Sequence, residues 1–155
     1  MTELMRRRRA LMTAQGGDAG PNYIVPSDSA GRGTSVAMFA EGNILQIRTF
    51  SKGADNDIRG YFARAISIKS GDVVRVKITR TAGTLSSVSA LCYVGTFNIN
   101  ATAVTYSSTV NVDVSATAAA NYTAEYFRIR NSSNARTSTN DAGLVEIFIN
   151  GEQVI

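Results

Sequence analysis

The chain has 155 residues, 44% of them hydrophobic, with a formal net charge of +4, one cysteine and no histidine. That length suits one domain with an ordinary core plus an appendage, and the apolar share argues against wholesale disorder. Without His, neither Ser-His-Asp nor Cys-His chemistry nor a His-ligated metal site is available, and Cys92 alone makes neither an intrachain disulfide nor a Cys-based zinc site. No apolar run approaches the roughly 20 residues of a membrane helix, and the N-terminus lacks the apolar stretch of a signal peptide.

The charge is uneven. Arg6, Arg7, Arg8 and Arg9 stand against Glu3 in the first nine residues, whereas the rest carries twelve basic and eleven acidic side chains. A body so close to neutral argues against a broad phosphate-binding face, and nucleic acid is not the expected partner.

Residues 2–14 read as the one helix. Thr2 can cap it, Glu3 sits favourably in its first turn, and Gly16-Gly17 stops it. Leu4, Met5, Leu11 and Met12 form one apolar stripe, ringed by the four arginines. About thirteen residues are too few for a helix stable alone in water, so this one must dock. The expected partner-binding set is therefore Leu4, Met5, Arg6, Arg7, Arg8, Arg9, Leu11 and Met12, on a 1–15 anchor. From there to Thr34 the chain holds Gly16, Gly17, Gly20, Pro21, Pro26, Gly31 and Gly33, a linker or extended arm (16–34) with a short contact at Tyr23, Ile24 and Val25.

A β-body fills 35–155. Strands are expected at 35–40, 44–50, 58–68, 73–80, 87–95, 109–114, 124–130 and 144–149, because apolar and polar residues alternate there with period two. Ile66 and Ile68, then Val74, Val76 and Ile78, flank a tight corner at Ser70-Gly71-Asp72, and Asn150-Gly151 turns a last strand into a short return. Asn98 to Thr102 and Asn140 to Gly143 read as breaks. Eight short strands without a second helix predict an all-β fold, a jelly-roll β-sandwich carrying the short helix and the arm. From Thr81 to Thr123 only Asp113 is charged, a surface suited to packing against copies in a homo-oligomer.

Catalytic chemistry finds little footing. Asp55 and Asp57 are the one close carboxylate pair, in a turn of small residues. The reading there is a solvated turn, with calcium as the alternative, and Asn140-Asp141 reads the same way. Cys92 falls in phase with Val88, Ala90 and Val94 and reads as a buried small hydrophobe. No cofactor, membrane contact or enzymatic activity is expected. For binding, Tyr61, Tyr93, Tyr106, Tyr122 and Tyr126 offer flat amphipathic rings, expected as a scattered or half-buried set. The best patch is Tyr126, Arg128 and Arg130 on one strand face beside Asn131-Ser132-Ser133-Asn134, a tentative ligand site.

The opening Met1-Thr2-Glu3-Leu4-Met5-Arg6-Arg7-Arg8-Arg9-Ala10-Leu11-Met12 resembles the start of structural proteins in phages of gut Firmicutes. Ile68-Lys69-Ser70-Gly71-Asp72-Val73-Val74 and Tyr126-Phe127-Arg128-Ile129-Arg130 are similar to runs in the jelly-roll modules of tail, fibre and carbohydrate-binding proteins. The resemblance implies a virion structural protein, assembled in the bacterial cytoplasm. Its N-terminal anchor would sit in other virion proteins, and its β-domain would face outward for subunit or surface-glycan contact. It supplies no catalytic residue. The alternative reading is a free carbohydrate-binding module.

Overall fold

The computed structural model of the chain describes residues 20–51, 57–83, 88–107, 111–132 and 137–155. The expected anchor helix with Leu4, Met5, Arg6 to Arg9, Leu11 and Met12 lies outside the described residues, as does Asp55.

Eleven strands follow in order: β1 (Val36–Ala40), β2 (Ile44–Phe50), β3 (Asp57–Ile68), β4 (Val73–Ala82), β5 (Val88–Val94), β6 (Phe97–Asn98), β7 (Val104–Tyr106), β8 (Val112–Thr117), β9 (Tyr122–Asn131), β10 (Thr137–Ile149) and β11 (Glu152–Gln153). Among the described residues there is no helix. Two antiparallel sheets form, one ordered β1-β2-β10-β4-β8 with β11 on β10, the other β3-β9-β5-β6 with β7 on β5. This is a β-sandwich. Each strand turns its apolar phase inward: Val74, Val76 and Ile78 of β4 and Val145 and Ile147 of β10 face Ile58 and Ile68 of β3 and Phe127 and Ile129 of β9 across one core. Cys92 belongs to that core, and burial pushes its thiol up to about 12.

The corner at Ser70-Gly71-Asp72 is not a hairpin. Gly71 takes a φ of 94°, and the Asp72 carboxylate accepts the Lys69 N–H at 2.8 Å, but β3 and β4 belong to opposite sheets. Ile68 and Val74 therefore face each other across the core instead of pairing side by side. One reading is corrected. The segment 140–143 is no turn, because β10 runs unbroken through it. A register shift between Ser138 and Asp141 against β2 absorbs one extra residue as a bulge. Asp141 is consequently buried, ion-paired with Arg80 and within 3.4 Å of the Tyr106 hydroxyl. Within the expected break after Asn98, Asn100 takes the place of a strand partner. Its side chain accepts the Cys92 N–H at 2.7 Å and donates to the Ala90 carbonyl at 2.9 Å, tying down the path from β6 to β7.

From Gly20 onward the Gly/Pro arm is stitched to both sheets. Ile24 bridges to Phe62 and Gly31 to Ile58 along the edge of β3, while Ser27 pairs with Phe39 of β1. Ile24 is buried in the core. The arm closes the seam between the two sheets, covering a β3 edge that would otherwise present unpaired backbone groups. Two glycines make room for it. A Cβ on Gly60 would lie 2.7 Å from Ile24 Cγ2 and Phe39 Cζ, and one on Gly31 would overlap the Ser35 carbonyl.

Candidate functional site

The outward face of the β3-β9-β5 sheet gathers aromatic and basic side chains. In the antiparallel register Asp57 pairs with Arg130, Arg59 with Arg128 and Tyr61 with Tyr126, and on the other side of β9 Tyr93 pairs with Arg128. Period-two alternation puts these residues on the side opposite Ile58, Phe127 and Ile129. The Tyr61 and Tyr126 rings meet edge to face with centroids 5.9 Å apart. The Arg59 guanidinium lies 4.7 Å above Tyr126, and those of Arg128 and Arg130 lie 3.9 and 5.4 Å from the Tyr93 ring.

Under this layer sits Asp57, which is fully buried. Its Oδ2 is 3.5 Å from Arg59 Nε and 3.4 Å from Arg128 Nε. The solvated-turn reading is thereby corrected for Asp57: it opens β3, and two guanidiniums enclose it. That setting is also wrong for a cation, since both neighbours are positive.

Arm and sheet together enclose a groove of about 520 Å³ lined by Ser27, Ser29, Ala30, Gly31, Arg32, Arg59 and Tyr61. Its volume falls within the roughly 300 to 1,000 Å³ common for ligand pockets. Tyr61 in its lining is 55% exposed, and on the arm Val25, whose N–H donates to the Tyr61 carbonyl, and Tyr23, whose carbonyl accepts the Ala63 N–H, are exposed as well. A second depression, about 250 Å³ at the β10 bulge, is lined by Gln46, Ile47, Arg48, Asp141 and Ala142. It has no aromatic lining, and its one carboxylate is already paired with Arg80.

The sequence-predicted trio Tyr126, Arg128 and Arg130 thus shares one face, but its members differ in use. Tyr126 is half-buried between Tyr61 and Arg59, and Arg128 and Arg130 lean on Tyr93. The five rings divide in a way the expected scatter did not anticipate: Tyr61, Tyr93 and Tyr126 converge, Tyr106 is buried in the core, and Tyr122 stacks on Phe97 at 4.9 Å. Sequence reading missed Arg32 and Arg59. Arg59 had a usable signal, since it alternates with buried Ile58 and Gly60 in phase with Tyr61; Arg32 had none.

The class defined by fold and site is an all-β sandwich with an aromatic and basic outer face beside a groove. No protein-family model matches the chain, and no curated protein matches it. Among solved structures it is similar to the Mannan Binding Module from Man5C, with 12% identity and a TM-score of 0.42, over 84% of this chain and 93% of that one.

Proposed function

We propose that the protein is a non-enzymatic glycan-binding β-sandwich of jelly-roll type, engaging carbohydrate in the groove between its arm and β3. The strand order supports the jelly roll: the chain crosses between sheets at every step from β2 to β5 and from β7 to β10, and β2-β10-β4-β8 faces β3-β9-β5-β6 as two interleaved Greek keys do. The observation that carries the binding reading is Tyr61. Its ring is exposed, held edge-on by Tyr126, and floors a groove walled by the hydroxyl-bearing Ser27 and Ser29. A sugar needs such a pairing: a flat apolar surface for its C–H face and polar groups for its hydroxyls. Hydrolysis finds no support at the groove, which no carboxylate lines among the described residues, and Asp57 beside it is buried and ion-paired. The virion placement and assembly through residues 1–12 draw on residues outside the described part, and glycan binding is the reading the geometry favours.

The test is affinity electrophoresis of the protein through gels containing neutral or acidic polysaccharides. Retardation by at least one polymer is expected, and Tyr61→Ala should weaken it about tenfold, ~1.4 kcal/mol. Mobility indifferent to every polymer would remove the proposal.

A further inference from the structure

On the proposed glycan-binding reading, we infer that the ligand is an acidic polysaccharide, a polymer with sugar carboxylates, whose anionic groups are received by Arg32 and Arg59 while its rings lie along Tyr61. Tyr93 is buried beneath the guanidiniums of Arg128 and Arg130, and the Tyr126 ring is covered by Arg59. Those two rings are therefore not open platforms. They hold guanidiniums in place, so β9 and β5 present nitrogen donors to the outside, and Tyr61 remains as the exposed ring.

The lining of the groove is unbalanced in charge, with the exposed Asp28 on the arm and Glu125 on β9 lying outside it. Arg59 and Arg128 share one carboxylate, Asp57, and Arg32 lines the same groove as Arg59 with no ion pair among the described residues. No carboxylate lines the groove among the described residues. A neutral sugar would leave this excess positive charge unanswered. A carboxylate would meet planar donor forks that match its two oxygens, that of Arg59 already held over Tyr126 and so with less ordering entropy left to lose. Nucleic acid would also supply anions and rings, but a near-neutral body offers it no extended basic track beyond this one groove.

The test titrates the full-length protein with polygalacturonate, alginate and hyaluronate, with the methyl ester of each, and with oligothymidine. Variants are Arg32→Gln, at the exposed rim, and Arg75→Gln, which removes the same charge from the opposite sheet. Binding is expected to at least one acidic polymer, to be largely lost on its esterification, and to fall about tenfold in Arg32→Gln while Arg75→Gln matches the parent protein. Equal binding of acid and ester, with Tyr61→Ala still weakening both, would overturn the acidic class and leave the glycan reading standing. Equal losses in the two arginine variants would reduce the effect to net charge and overturn the assigned site. Binding to oligothymidine alone would overturn the inference in favour of nucleic acid, and binding to nothing here would overturn the acidic class while retardation by a neutral polymer in gels would keep the glycan reading.

Discussion

Asp57→Asn is the most informative single substitution, because it keeps the shape of the side chain and removes the negative charge enclosed by the guanidiniums of Arg59 and Arg128. Breaking a buried pair by removing one partner costs about 3–5 kcal/mol, since the remaining charge is left uncompensated. Here the contacts are long, 3.4 and 3.5 Å, and the Arg128 and Arg59 side chains keep 15% and 20% of their surface in solvent. Water recovers part of the loss, which brings the expected cost to about 2 kcal/mol. For a domain of this size that corresponds to a fall in melting temperature of about 4–8 °C, read by circular dichroism at neutral pH. Asp113→Asn is the matched control. Its pair with Arg75 is geometrically better, at 2.6 Å, but both side chains are about half exposed, at 49% and 48%. Solvent and salt screen it, so its melting temperature should stay close to that of the parent. Equal shifts in the two variants, or a more stable Asp57→Asn protein, would refute the claim that Asp57 holds the basic face together.

Three further outcomes follow from particular contacts. Gly60→Ala should destabilise by about 1–3 kcal/mol in urea titration, because its methyl would press Ile24 and Phe39; a stabilised variant would show that the arm is not wedged there. The Asp72 carboxyl is held below its ordinary value of 3.8, first by the Lys69 N–H and then by the Asn150 amide. Its contribution is thus present above that value and lost as pH falls through the lowered one, and Asp72→Asn should flatten the acid limb of the urea midpoint against pH; an unchanged limb would count against the link. Cys92 should resist Ellman's reagent at mildly alkaline pH and react only in denaturant; prompt labelling of the native protein would contradict its burial.

The strands were legible in the sequence because each has one dry and one wet face, as Val74, Val76 and Ile78 against Arg75 and Lys77 show. Which sheet a strand joins was not. Period two fixes a face but not a neighbour, and a Gly-Asp corner serves a hairpin and a crossing between sheets alike. The Asp141 bulge was hidden for a related reason, since Asn-Asp-Ala-Gly is turn chemistry and only pairing with β2 on one side and β4 on the other holds it extended. For the site, Tyr126, Arg128 and Arg130 could be found because they lie on one strand. Their partners Arg59, Tyr61 and Tyr93 come from strands distant in sequence, joined to them only by the register of β3, β9 and β5. The groove needs the arm as well, and a Gly/Pro-rich segment does not announce what it will pack against.

Hydrogen–deuterium exchange of the full-length protein, with and without an oligosaccharide of whichever polysaccharide retards it in gels, tests the central claim most directly. Protection confined to residues 23–32, 57–61 and 126–130 is the expected result, since those segments carry the arm, the groove floor and the basic face. Protection centred on β4 and β8 of the opposite sheet, with the groove unchanged, would contradict it.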